Sequence, residues 1–240
     1  MNDVVNETNK GGRKTSLLVL IAIIILAAIG AGAWFYFEKD ATTNTPTPAA
    51  NDEVVARVDG VEISRAAYER NLEQLRGAYA SQGIDVSSAT SSEVLKEQAI
   101  NALVNRQIII AAAKAENISV ESGTIDTEYK NIVEGAGGAE ALASALAATG
   151  VTDDMVRKDI EEGLIIQQYL ATKVGINSAT VSEEEVKNYY EAAKKENTEV
   201  PAFEEVSEAI KNQLLAQKQE AMINAALEKL RADAKIEILI

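Results

Sequence analysis

The sequence predicts a mainly α-helical protein, with one N-terminal transmembrane helix followed by a helical domain that carries a small antiparallel sheet. Three observations carry this expectation. An uncharged apolar run occupies Thr15 to Phe37. Alternating apolar residues mark the two ends of the remaining chain, in EVVARVDGVEIS and AKIEILI. Nearly everything between those ends has helical spacing and explicit helix-start signals.

The run from Thr15 to Phe37 is 23 residues long and would rise about 34 Å as a helix, enough to cross a bilayer core. Trp34, Phe35, Tyr36 and Phe37 stand at its far end, where an interfacial aromatic belt belongs. A cleavable signal peptide is the alternative, because Lys10, Arg13 and Lys14 form a basic n-region and Ala31-Gly32-Ala33 supplies small residues for cleavage. The length of the run and the bulky residues directly after the small ones favour a retained anchor. Three basic residues precede the run and only Lys39 follows closely, so the positive-inside rule puts the N-terminus in the cytoplasm and the rest outside the cytoplasmic membrane. The expected organisation is a cytoplasmic tail over 1–14, the anchor over 15–37, a flexible linker over 38–53 and a helical domain over 54–240. The linker reading rests on ATTNTPTPAANDE, which holds two of the three prolines among small polar residues and cannot bury a core.

Composition excludes much chemistry. The chain has no histidine and no cysteine, so histidine triads, thiol nucleophiles, imidazole or thiolate metal sites and disulfides are unavailable to it. Residues 1–40 carry four basic and four acidic side chains, which leaves 19 of the 23 basic and 33 of the 37 acidic ones for residues 41–240. The whole net charge of -14 therefore belongs to the part beyond the anchor, and a nucleic-acid partner, which needs a basic surface, is set aside.

The helical domain opens with strands on either side of Asp59-Gly60, a dipeptide that tolerates the positive φ angles of a type I′ turn. Because a lone hairpin is marginal, the AKIEILI strand is expected to join it as a third, burying Ile236, Ile238 and Ile240. Ser64 should cap a helix with Tyr68, Leu72, Leu75 and Tyr79 on one face, ended by Gly83. Thr90 and Glu93 have capping-box spacing for a second helix, which runs through Leu95, Ala99, Leu103 and Ile108-Ile109-Ile110 to Asn117. Further helices should start near Thr124, Gly138, Thr152 and Ser182, the last with Glu185 at capping-box spacing. The GAGG at 135–138 reads as a break between helices. A final helix beyond Pro201 should bury Phe203, Val206, Ile210 and Leu214 and extend past Leu230.

No catalytic residue, cofactor site or metal ligand is assigned. Asp153-Asp154, Glu161-Glu162, Glu183-Glu184-Glu185 and Glu204-Glu205 read as solvated helix starts, since carboxylates suit a helix N-terminus and adjacent residues on a helix point in different directions. No GxxxxGK[ST] motif is present and no strand precedes the glycines, so a phosphate loop is not expected.

Taken in order, VARVDGVEISRAAYERNLEQLR, ALVNRQIIIAAAKAENISVES, VSEEEVKNYYE and FEEVSEAIKNQLLAQKQ running into AKIEI resemble the chaperone domain shared by SurA, PrsA and PpiD-type extracytoplasmic foldases. The resemblance covers about Val54 to Leu239. It implies a mostly helical chaperone domain, related to the chaperone part of trigger factor, that binds unfolded or exported polypeptides. Many members of that group insert a parvulin prolyl isomerase between the YYE segment and the last long helix. Here only residues 191 to 202, 12 in all, separate Tyr190 from Phe203, and the histidines that a parvulin site uses are absent. The expectation is thus a membrane-anchored chaperone without the enzyme, with a structural adaptor of a translocon or envelope complex as the alternative and an unrecognised enzyme as a distant third. Such a chaperone should leave an apolar surface open, with Tyr79, Leu142, Leu146 and Met155 as candidate client contacts.

Overall fold

A computed structural model describes residues 53–86, 88–196 and 200–240. The expected tail, the anchor over 15–37 and nearly all of the linker lie outside these residues. Among the described residues no helix is long and apolar enough to cross a membrane.

The described chain is mainly helical, with seven α-helices and one three-stranded sheet. Strands β1 (Val54–Val58) and β2 (Val61–Ser64) are followed by α1 (Arg65–Ser81), α2 (Ala89–Ala115), α3 (Ser122–Gly135), α4 (Ala139–Thr149) and α5 (Asp153–Tyr169). A π-turn (Leu170–Val174) and a 3-10 turn (Ile176–Ser178) lead to α6 (Glu183–Glu196), α7 (Phe203–Asp233) and β3 (Ile236–Ile238). The chain forms two compact units whose borders fall within α1, α2 and α5: one holds Arg70–Leu95 and Glu121–Gly163, the other Asp52–Glu69, Lys96–Val120 and Leu164–Ile240.

The sheet belongs to the second unit and has the order β2-β1-β3, both pairings antiparallel. Asp59 and Gly60 adopt φ of 50° and 83°, the left-handed pair that a tight hairpin of matching twist requires. Ala56 faces Ile63 on one side and Ile238 on the other, while Arg57 faces Glu62 and Glu237. Val55, Ala56, Val58 and Ile63 are buried. The expected third strand is present, but its isoleucines are not all interior: Ile236 is half-buried, and Ile238 and Ile240 are exposed. As the outer member of the sheet, β3 has a neighbouring strand on one side only, and Ile240 lies beyond the strand's end.

Two apolar clusters complete the second unit. Ile109 and Ala113 of α2, Ile118, and Ile165 and Tyr169 of α5 are buried together, with Leu227 and Leu230 of α7 packed against them. Val186 and Tyr190 of α6 meet Ile210 of α7, flanked by Phe203, Val206 and Leu214. The Tyr190 and Phe203 rings pack edge to face at 5.3 Å and 72°, a favourable aromatic geometry, and Tyr190 OH donates to the Pro201 carbonyl at 2.9 Å. Lys218 and Gln219 of α7 donate to the carbonyls of Thr180 at 2.8 Å and Ile176 at 3.2 Å, which supplies partners for backbone groups of the turn before α6.

Helix ends follow local chemistry. Ser64 Oγ accepts the Ala67 N–H at 3.3 Å. After α1, Ile84 N–H reaches Tyr79 O at 3.1 Å and Gly83 N–H reaches Ala80 O at 2.9 Å, a Schellman pair with Gly83 left-handed. Asn117, at φ 57°, ends α2 in the same way, with Ile118 N–H bonded to Ala113 O at 2.9 Å. The GAGG break is a third case, since Gly138 N–H reaches Val133 O at 2.8 Å. The start of α2 differs from expectation. It begins at Ala89, with Ser88 Oγ accepting the Ser91 N–H at 3.1 Å, so the serine two residues before Thr90 is the cap. Likewise α3 starts at Ser122, two residues before Thr124.

Candidate functional site

The carboxylate pairs divide by position. Asp153-Asp154, Glu183-Glu184-Glu185 and Glu204-Glu205 occupy first turns of α5, α6 and α7, as expected from the helix dipole. Glu161-Glu162 is different, lying in the third turn of α5 rather than at a start. Among the described residues no group of three or more acidic side chains is placed to hold a metal ion.

The start of α6 is the most heavily bonded of these. Ser182 N–H donates to Glu185 Oε2 at 2.9 Å, and Glu185 N–H donates to Ser182 Oγ at 3.2 Å, a reciprocal capping box. Lys218 of α7 forms an ion pair with the same carboxylate. The Lys218 ammonium and then the Ser182 donors pull the Glu185 carboxyl down to about 2, because each stabilises the ionised form.

In the first unit, α3 is tied to the first turns of α5. Tyr129 OH donates to Asp153 Oδ1 at 2.7 Å, Arg157 donates to Asp126 Oδ1 at 2.6 Å, and the Arg157 guanidinium lies 4.3 Å from the centre of the Tyr129 ring. The hydrogen bond to Asp153, aided by burial, pushes the Tyr129 phenol above its ordinary range, and the bond to Asp126 raises Arg157. Thr152 Oγ1 accepts the Met155 N–H at 3.2 Å. The backbone that carries Met155 is therefore held by a cap and by side-chain links on either side of it. Sequence reading missed this cluster, whose halves are 24 and 31 residues apart. Its only local trace is helical spacing, Asp126 with Tyr129 and Asp153 with Arg157, which puts each pair on one helix face.

The structure separates the four candidate contacts. Leu142 is 1% exposed and Leu146 is also buried, so both serve as interior packing of α4 rather than as an open surface. Their spacing of four puts both on one face of α4. Met155 is 39% exposed, and Tyr79 is half-buried at the end of α1. Ile84 and Val94 of the same unit are exposed large apolar residues that sequence reading did not single out, because neither belongs to a run or a motif.

Three comparisons with known proteins bear on this arrangement. Residues 4–170 match the family model of the SurA-like N-terminal domain. A curated relative, the foldase protein PrsA of Caldanaerobacter subterraneus subsp. tengcongensis, is 25% identical over 154 residues, which are 61% of this chain and 44% of the relative. The chain thus spans less than half the length of that relative. Among solved structures, a chain from the work on PEB4 and Cj1289, described as two structurally related SurA-like chaperones of Campylobacter jejuni, superposes with a TM-score of 0.51 at 13% identity. That match covers 78% of this chain and 98% of the other, and it supports the fold. The family match spans well over half of the sequence and the helical architecture agrees with it, so the chain belongs to the SurA-like N-terminal domain family.

Proposed function

We propose that this protein is a membrane-anchored, extracytoplasmic chaperone that holds unfolded exported polypeptides and does not itself isomerise prolyl bonds. The observation that carries the reading is membership of the SurA-like N-terminal domain family, together with a PrsA foldase as a relative. Anchoring is supported by the uncharged run Thr15 to Phe37 and its basic flank. The absence of histidine and the 12 residues between Tyr190 and Phe203 support a module that works without a parvulin site. Exposed Met155, Ile84 and Val94 of the first unit, with the half-buried Tyr79, are the proposed client contacts.

The deciding experiment is suppression of aggregation by a form lacking residues 1–40. A stoichiometric excess should delay aggregation of several unrelated unfolded proteins, and failure with all of them would reject the chaperone reading in favour of a structural adaptor. Protease added outside intact spheroplasts should digest the domain beyond the linker, whereas full protection would reject the orientation. The same form should leave X-Pro isomerisation at its uncatalysed rate of tens to hundreds of seconds.

A further inference from the structure

We propose that Arg231, Asn101 and Asn105 form a receptor for a single carboxylate group of a bound polypeptide. This rests on the chaperone reading above and goes beyond its apolar contacts to a chemical group that the client presents.

All three residues belong to the second unit, Asn101 and Asn105 on α2 and Arg231 in the last turn of α7. Arg231 Nη1 donates to Asn105 Oδ1, and Nη2 donates to Asn101 Oδ1 at 3.3 Å. A spacing of four puts both asparagines on one face of α2, and all three side chains are half-buried. The C-terminal end of a helix favours a cation, which accounts for a positive charge there but not for its two neutral partners.

Four other arginines show what is missing. Arg57, Arg65, Arg76 and Arg157 each hold a carboxylate. Arg76 takes Glu73, three residues before it on α1. Arg231 has Glu228 at the same spacing on α7, yet it turns to the asparagines and forms no ion pair among the described residues. Scarcity of carboxylates is not the reason, since residues 41–240 carry 33 acidic side chains against 19 basic ones. A half-buried guanidinium has given up part of its hydration, and two amide oxygens solvate its charge without neutralising it.

The donors left over define the ligand. A guanidinium carries more N–H donors than the two used here and no acceptor, and each asparagine turns its oxygen to Arg231 and keeps its own amide N–H donors. The cluster therefore presents hydrogen-bond donors around one positive charge, and the planar fork of arginine matches a carboxylate in paired bonds. One charge answers a monoanion. A phosphate dianion would leave surplus negative charge on a domain whose net charge is already -14. An unfolded polypeptide supplies carboxylates from its chain end and from Asp and Glu, and the test below separates these sources.

A short Ala/Leu/Lys peptide is made with an amidated end, with a free terminal carboxylate, and amidated with an internal Glu, and each form is titrated against the full chain in non-ionic detergent. At least one carboxylate form should bind about tenfold more tightly than the amidated peptide, as expected for one hydrogen bond to a charged group. The long-range field of an acidic domain favours the opposite order, so this result isolates a local contact. A gain with the free end alone assigns the receptor to chain ends, and a gain with Glu alone assigns it to side chains. Asn105→Asp places a carboxylate beside Arg231 from within the protein and should abolish the gain. Arg231→Lys, which keeps the charge without the fork, should reduce it severalfold. Asn212→Asp, at an exposed position of α7, adds the same charge elsewhere and should leave it unchanged. Equal affinities of all the peptides, a gain that survives Asn105→Asp or Arg231→Lys, or a gain lost in Asn212→Asp would overturn the receptor and leave the chaperone reading to the aggregation test. Inorganic phosphate displacing the peptide more effectively than acetate would overturn the carboxylate in favour of a general anion. A gain that depends on Arg231 in a protein that fails to suppress aggregation would uphold the receptor and reject the chaperone.

Discussion

Asp59 and Lys235, 176 positions apart, hold each other twice: Asp59 N–H donates to Lys235 O at 2.9 Å, and Lys235 N–H donates to Asp59 Oδ1 at 2.8 Å. One residue thus shapes the hairpin turn through its φ of 50° and registers the strand that returns after α7. Asp59→Ala removes the side-chain acceptor, worth about 0.5–1.5 kcal/mol, and forces a left-handed residue that costs roughly another 1–2. Asp59→Asn keeps an acceptor and tolerates that backbone, so its loss should be well under that of alanine. Urea midpoints of the three forms provide the check, and equal midpoints for alanine and asparagine would refute this dual role.

Removal of residues 235–240 should destabilise the second unit less than burial of three isoleucines would suggest. Only Ile236 of the three is even half-buried, so the loss is chiefly the ladder to β1, the bonds to Asp59 and the newly uncovered flank of Val58. A few backbone bonds at about 1 kcal/mol each and part of one isoleucine give roughly 3–5 kcal/mol. An unchanged melting temperature would mean that the strand contributes nothing to closure.

Glu185 predicts an acid dependence. Its carboxyl is pulled down from 4.5 to about 2 in the folded chain by Lys218 and Ser182, so the unfolded state binds the proton more readily than the folded one. The stabilisation is complete above about pH 4.5 and is lost as pH falls towards 2. Glu185→Gln should therefore be less stable than the parent at pH 6, and the difference should shrink steadily below pH 4.5. A constant difference from pH 6 to pH 2 would show that the charge of Glu185 is not the cause.

Elements specified by nearby residues were legible in sequence, while those specified by remote partners were not. Gly83, Asn117 and the GAGG run mark helix ends because a left-handed residue closes the bonds of its own last turn. The Ser182 and Glu185 box is equally local. At the start of α2, Ser88 and Thr90 both offer suitable side chains within three residues, and spacing alone does not choose between them. Burial of Leu142 and Leu146 was illegible for another reason: an alanine-rich helix such as α4 is apolar nearly all round, so its sequence does not tell the packed stripe from the open one. The tie from Arg157 to Asp126 and Tyr129 depends on how α3 and α5 meet, which neither helix encodes by itself.

The contrast between Leu142 and Met155 separates folding from client binding. Leu142 is fully buried, and Leu142→Ala should cost about 2–5 kcal/mol through lost burial and the cavity left behind. Its effect on chaperone activity should then follow the fraction of folded protein and vanish at temperatures where the variant remains folded. Met155 is exposed on the capped, cross-linked first turn of α5, so Met155→Ser should change stability by no more than about 0.5 kcal/mol. If Met155 touches clients, the same change should weaken the affinity for an unfolded peptide about fivefold, near 1 kcal/mol on an affinity of roughly micromolar strength. Because the domain is acidic, basic peptides should associate faster than acidic ones, and raising salt towards 1 M, where the screening length is about 3 Å, should narrow that gap while leaving the Met155 effect in place. Peptide titrations of both variants across a salt series, paired with their urea midpoints, test the assignment. An unchanged affinity in Met155→Ser would remove this side chain from the binding surface, and a loss in folded Leu142→Ala would return the contact to α4.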